Sequence, residues 1–520
     1  MYTFSSRLKT VALALMVLGL LGIGYSFFTA PKSIEDVERM EAENAAHGHH
    51  GDAAHHDAAP HDAHGSATAP APSHKEGEAH AEAAHDTTHA VAAEAVHETH
   101  DTIHAEAAVA AGHEGHDNKT GEAVHAEEAH AAHADAHAAH GHDDAHDAHK
   151  EHQEHLEHTL LQLQNKPWSA LYVSALFFML ISLGALAFYA IQNAAQAGWS
   201  PVLFRVMEGI SSYLIPGAII VFLIFVAGAL DMHKIWIWMD KDVVEHDHLI
   251  KAKSGYLNKV FFLVRAAIFM GGWIWYRQYS RKNSLAQDDA TDNSYYKKNF
   301  KAAATFLVFF IISESMMSWD WIMSVDPHWY STLFGWYVFA SFVVSAVTVI
   351  AMITLYLKSV GYLEYVNTSH IHDLAKFMFG FSVFWTYLWF SQFMLIWYAD
   401  IPEEVTYFKT RIEDFNLPFF GMVVLNFVLP ILILLNTDFK RLTWVVVLAG
   451  TIILCGHYMD FFNMIMPATV GKQWFIGAGE IGALMFFMGL FIFVVFTTLT
   501  KAPLLAKRNP LIEESKHFHY

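Results

Sequence analysis

From position 168 to 189 the chain reads WSALYVSALFFMLISLGALAFY, 22 consecutive residues without Asp, Glu, Lys, Arg or His. A bilayer core needs about 20 apolar residues per helix, so this stretch predicts a membrane-spanning helix. Nine further runs of similar character lie around it, at 8–29, 202–230, 259–279, 302–325, 332–357, 374–399, 415–435, 442–465 and 474–499. Pro216 lies inside the longest run and is expected to kink it. The fold class expected is therefore an all-α polytopic membrane protein of about ten transmembrane helices. Ten crossings put both termini on one side.

The charge is concentrated in one place. The 520 residues carry a formal net charge of −20. Between Glu41 and His158 stand 25 acidic residues against three lysines, with 27 of the 36 histidines. The remainder holds 27 acidic and 29 basic residues and is nearly neutral. Four regions follow: an N-terminal anchor (1–30), a His/Ala/Asp/Glu-rich low-complexity loop (31–167), a nine-helix membrane domain (168–500) and a C-terminal tail (501–520). The loop has too few apolar residues to bury a core and is expected to be disordered or loosely helical. Its last part repeats histidine at steps of three and four, which places His133, His137 and His140, then His142, His146 and His149, along helical stripes. Such stripes favour weak metal chelation, or simply make a soluble spacer. The helical pattern there is also expected to extend the second span outward.

Several classes are disfavoured. A single cysteine, Cys455, cannot make an internal disulfide or a cysteine-ligated cluster. It lies in an apolar run and is expected to pack in the core. The acidic balance and scattered basic residues argue against nucleic acid. Arg7 and Lys9 precede an 18-residue apolar stretch, Val11 to Phe28, longer than a usual signal-peptide core, and Pro31 sits where cleavage is awkward. An uncleaved anchor is expected. With the N-terminus inside, short inner segments hold 16 Lys and Arg and the outer ones eight. That bias predicts cytoplasmic termini and a periplasmic His-rich loop. Trp236, Trp238, Trp275, Tyr276, Trp329, Tyr330, Trp397 and Tyr398 crowd the span ends and are expected at the interfaces.

Ionisable residues inside spans are costly and mark candidate sites. Toward the outer face lie Arg265, Asp320, His457, Asp460 and Glu480; toward the inner face lie Glu208, Asp373 and Lys376; Glu314 is central. His457 and Asp460, at i and i+3, share a helix face, as an imidazole–carboxylate proton relay requires. Asp373 and Lys376, also i and i+3, read as an interfacial salt bridge. Glu314 and Asp320 are six residues apart, about 9 Å along an α-helix and about 120° around it, so they cannot share one partner. Glu208, Glu314, Asp320, Asp373, Lys376, His457, Asp460 and Glu480 are the candidates for a proton path. His457 is the only histidine well inside a span, whereas bis-histidine haem ligation needs two. No redox cofactor of its own, covalent or ligated, is therefore expected.

Two stretches carry a family resemblance: SWDWIMSVDPHWYSTLFG at 318–335 and FSQFMLIWYADIPEE at 390–404. They resemble the signatures of NrfD-like (polysulfide-reductase-type) membrane subunits. With the anchor, the His-rich loop and GWSPVLFR at 198–205, the chain is most similar to the ActF type, the second NrfD-like subunit of bacterial alternative complex III. The resemblance covers essentially everything outside 31–167. It implies two four-helix bundles with flanking helices, in the bacterial inner membrane. It implies a quinol:cytochrome c or quinol:oxidase complex that moves protons through two half-channels. The implied partners are a multihaem cytochrome c, an iron–sulfur subunit, a homologous NrfD-like subunit, lipid-anchored subunits and a terminal oxidase. Quinone or menaquinol is the implied bound species, with the homologous subunit as the better supported quinol site. Asp320, Asp326, His328, Asp400 and Glu403 fall within the matching motifs. Arg265, Asp320, Asp326, His328 and His457 are the quinone-binding candidates, and Asp400 and Glu403 the subunit-interface candidates.

Two other functions compete. A cofactorless scaffold would use the buried charges only to lock helices together. A metal-ion transporter is suggested by the histidines, but the spans lack ligand pairs apart from His457 and Asp460, and the sequence shows no broken-helix pattern of carriers.

Overall fold

The structure is a computed structural model that describes residues 2–52 and 135–519, with side chains described for 2–43 and 149–519. It divides into two units, Met1–Asn44 with His149–Tyr520, and Ala45–Ala148. Of the second unit only helical backbone at its two ends is described. Among the described residues every regular element is helical.

Among the described residues ten helices are long and apolar enough to cross a membrane. In chain order the main helices are α1 (Ser6–Thr29), α2 (Ile34–Asp52), α3 (Asp135–Ala194), α4 (Pro201–Ala229) and α5 (Lys259–Asp289). There follow α6 (Ser294–Val325), α7 (Phe334–Ser359), α8 (Thr368–Ala399), α9 (Pro402–Glu413), α10 (Asn416–Leu434), α11 (Thr443–Val470) and α12 (Ala478–Leu499). All but α2 and α9 are candidate spans. Alternate crossings give a face at the Thr29 end of α1 and a face at its Ser6 end.

Local chemistry sets the boundaries. Asn258 opens α5 by accepting the Phe261 N–H (2.9 Å). Asn367 opens α8 by accepting the N–H groups of Ser369 (2.9 Å) and His370 (3.3 Å). Asp400 ends α8 in the left-handed region (φ 50°), a conformation that Asp tolerates better than most residues. Pro402 then supplies the first residue of α9, where its missing N–H costs nothing.

Three spans change their winding. In α4 a 3-10 turn covers Ser211–Tyr213, just before Pro216. Pro216 cannot donate to the carbonyl four residues back, which accounts for a break at the expected place. In α6 the α-helix gives way to a π turn at Ser318–Ile322 and a 3-10 turn at Met323–Val325. In α10 a π turn covers Val424–Val428. The interruptions in α6 and α10 had no such signal in the apolar pattern.

Packing forms two groups of four. The membrane part of α3 joins α4, α5 and α6: the Tyr172 hydroxyl donates to the Trp321 carbonyl (2.9 Å), and Phe225 packs against both rings. Helix α7 packs on α8 and α11, and α10 packs on α8 and α11. Outside these groups α1 and α12 lie antiparallel through glycines. A Cβ on Gly482 would stand 2.8 Å from the Gly22 Cα, and one on Gly489 would stand 2.6 Å from the Ala12 carbonyl. Small residues let the two backbones approach, as membrane helix pairs require.

Some sequence expectations change here. Trp275, Tyr330, Trp397 and Tyr398 are exposed, but Trp236, Trp238, Tyr276 and Trp329 are buried among helices. Half of these rings therefore face protein and half face outward. Cys455 is exposed on the outer side of α11, because lipid makes an apolar outer face as acceptable as a core. Both ends of the low-complexity segment are helical, and Val37, Leu156 and Leu163 bury one another between α2 and α3.

Candidate functional site

Asp460 of α11 stands at the centre of a closed polar cluster. It is fully buried. The Tyr337 hydroxyl donates to its Oδ1, and Ser341 Oγ (2.8 Å) and Trp385 Nε1 (2.8 Å) donate to its Oδ2. His457, one turn away, has Nδ1 3.6 Å from Asp460 Oδ2 and 3.0 Å from Ser341 Oγ. Its other ring nitrogen is buried without a partner. The expected imidazole–carboxylate pair is present, held by donors from α7 and α8.

Above Tyr337 lies a small cavity roofed by α9. The buried face of α9 carries Tyr407, Phe408 and Arg411. Arg411 donates to the carbonyls of Asn463 (3.0 Å) and Tyr407 (2.8 Å), and its guanidinium lies 3.3 Å from the Tyr407 ring centroid. Burial pushes the Arg411 guanidinium down from its ordinary value and the Tyr407 hydroxyl up. Trp389 Nε1, Gln392 Nε2 and Asn463 Oδ1 line the same cavity and have no partner. Unsatisfied groups around a space of this size suit ordered water.

A second cluster lies in the other helix group. Arg265 Nε donates to Asp320 Oδ2 (2.6 Å) with both side chains buried. Arg265 also donates to the Tyr256 carbonyl (3.0 Å) and stacks on the Tyr256 and Phe261 rings (3.9 and 4.2 Å). Asp320 sits within the π turn of α6, a winding often found at functional sites. Beside this pair opens a cavity of about 340 Å³ walled by Tyr256, Leu257, Trp319, Met323, Trp329 and Tyr330. Its size and apolar walls suit a ring-shaped ligand.

Glu314 is buried beside hydroxyls and not beside a cation. Ser318 donates to its Oε1 (3.1 Å), and the Ser315 hydroxyl is a second side-chain partner. Among the described residues no cation pairs with it. As expected, Glu314 and Asp320 have separate partners. The π turn between them replaces the α-helical spacing on which the six-residue estimate rested.

The remaining candidates are dispersed. Glu208 is clamped at the Ser6 face by Arg205 (2.9 Å) and Arg281 (2.7 Å), and Arg205 also holds Asp288 (2.6 Å). Asp373 and Lys376 form the expected interfacial pair (3.2 Å). Glu480 accepts the Gly477 N–H (2.8 Å) and so caps its own helix. His328 contacts Asp247 (2.5 Å). Asp326 lies in the α6–α7 connection and is half-buried. Asp400 and Glu403 are exposed where α8 meets α9.

The five quinone-binding candidates therefore do not converge. Arg265 and Asp320 are together, His328 is with Asp247, and His457 belongs to the Asp460 cluster. Of the metal candidates, His133 lies outside the described residues, as do the side chains of His137, His140, His142 and His146; His149 is exposed. Sequence reasoning missed Tyr337, Ser341, Trp385 and Arg411, which complete or roof the Asp460 cluster. For Arg411 a signal existed: Tyr407, Phe408 and Arg411 share one helical face, opposite Lys409 and Glu413. No family model and no curated protein matches the chain.

Proposed function

We propose that this chain is a membrane subunit of a bacterial respiratory quinol oxidoreductase of the alternative complex III type. Its buried carboxylates exchange protons, and the redox centres belong to partner subunits. Cytoplasmic termini and a periplasmic His-rich loop are part of this reading. Quinol oxidation yields quinone, two protons and two electrons. The electrons pass to a partner, and the protons need groups stable with and without one.

The observation that carries the reading is Glu314. A carboxyl kept only to lock helices would have a fixed counter-charge, as Glu208 and Asp320 have. Glu314 has hydroxyls instead, which can donate to a carboxylate or accept from a carboxyl. The aromatic cavity beside Arg265 and Asp320 supports a place for a quinol ring. A scaffold role is the second reading, favoured by the fixed partners of Glu208, Asp320 and Asp373.

The test is Glu314→Gln and Asp320→Asn, made separately in the assembled complex, with quinol oxidation and proton release measured together in proteoliposomes. Intact assembly with lost proton release or slowed turnover is expected. Intact assembly with unchanged coupling in both variants favours the scaffold.

A further inference from the structure

At the Thr29 face, away from the clusters described above, α1, α3 and α12 enclose a cavity of about 230 Å³. Two opposite charges border it. Lys166 Nζ is buried, makes no hydrogen bond and lies 2.9 Å from the centroid of the Phe475 ring. Glu480 Oε2 caps α12 through the Gly477 N–H, but its Oε1 is buried without a partner. A buried charge without a partner is costly. Lys166 and Glu480 attract one another across the cavity but form no direct ion pair, and a ligand that carries both signs would complete both.

The cavity lies level with the last turn of α1 and the first turn of α12, the ends of two candidate spans, and headgroups meet a span at its ends. Beside it Leu21, Phe28 and Ile481 are exposed, an apolar flank on which acyl chains can lie. Phe475, 59% exposed, lies over Lys166.

We propose that this cavity holds the headgroup of one phospholipid with a primary ammonium, its phosphate at Lys166 and its ammonium at Glu480. A primary ammonium donates hydrogen bonds to a carboxylate, whereas a trimethylated one cannot. A glycerol headgroup brings the phosphate but no positive charge for Glu480. Selectivity should therefore run phosphatidylethanolamine, then phosphatidylcholine, then phosphatidylglycerol. This inference does not depend on the proposed function.

The experiment takes the full chain in detergent, strips loosely held lipid, and adds back each of the three phospholipids while counting retained lipid by native mass spectrometry. One phosphatidylethanolamine is expected to persist, with apparent affinity about tenfold above phosphatidylglycerol. Lys166→Gln and Glu480→Gln should each reduce its retention about tenfold. In the Glu480→Gln variant the side-chain amide still offers an oxygen to the Gly477 N–H, so the helix cap survives, and an unchanged melting temperature checks the fold. Lys259→Gln, on an exposed ion pair with Asp231, should retain the lipid fully. Equal retention of phosphatidylglycerol, or unchanged retention in both cavity variants, overturns the proposal. Soluble glycerophosphoethanolamine should not displace the lipid at millimolar concentration. Displacement would assign the cavity to a soluble phosphoester instead.

Discussion

Trp329 stacks on Tyr407, with ring centroids 4.0 Å apart and planes inclined by 16°. Trp329 belongs to the α6–α7 connection and walls the larger cavity, whereas Tyr407 belongs to α9 and roofs the smaller one. The stack joins the two helix groups at the Thr29 face. It makes α9 a fastened lid over the Asp460 cluster rather than a free surface helix.

Replacing Tyr407 with alanine should unfasten that lid. An aromatic pair adds about 0.5–1.5 kcal/mol beyond burial, and Arg411 also loses the ring it lies on. Hydrogen exchange across Pro402–Glu413 should quicken several-fold while the spans stay protected. Unchanged exchange in α9 would show that the stack does not hold it.

Asp460→Asn should destabilise the protein although it is nearly isosteric. Three donors, Tyr337, Ser341 and Trp385, converge on two carboxylate oxygens. Asparagine offers one oxygen and adds donors of its own, so at least one buried donor loses its acceptor, at about 1–3 kcal/mol. A lower Tm in detergent is the expected reading, and Asp460→Leu should lower it further.

Arg265 and Asp320 should be strongly coupled. Arg265→Met leaves a buried carboxylate without its cation, which costs about 3–5 kcal/mol, whereas removing both charges is often nearly neutral. The double variant Arg265→Met/Asp320→Leu should therefore be more stable than Arg265→Met alone. Additive losses in a double-mutant cycle would remove the ion pair from the account.

The Asp247 contacts should respond to acid. The Ile250 N–H, and next the His328 ring, hold the Asp247 carboxyl below its ordinary value. A lowered carboxyl stabilises the fold above the unfolded value of about 3.9 and loses that contribution as pH falls through the folded value. Amide protection at Leu249 and Ile250 should be constant from neutral pH to about pH 4 and fall below it. Loss of protection already near neutrality would indicate another group.

Gly482→Leu should part α1 from α12. The added side chain meets the Gly22 backbone directly, with no flexible neighbour to yield. Hydrogen exchange across Ser6–Thr29 should quicken several-fold, while the other spans keep their protection.

The spans were legible because a bilayer imposes length and polarity on every crossing, and the runs at 168–189 and 332–357 needed no tertiary information. The His457–Asp460 pair was legible because three residues along a helix fix a common face. Its completion was not. Tyr337, Ser341 and Trp385 come from two other helices, and no local pattern says which polar side chains will meet. Arg411 was hidden because a basic residue between two spans looks like any loop charge. Cys455 and Trp236 show the converse problem. In a membrane protein apolar character does not separate inside from outside, so the sequence marks a residue as apolar-facing without saying whether protein or lipid covers it.

The pairing of α1 with α12 bears on how the chain is made. Among the described residues these partners are the first and last candidate spans in the order of the chain, with 448 residues between Thr29 and Ala478. At ordinary rates of synthesis α1 waits on the order of 20–90 s for its mate. Through that interval its glycine face meets lipid, or any neighbour with a similar face. A chain that stops before Ala478 leaves α1 without this partner.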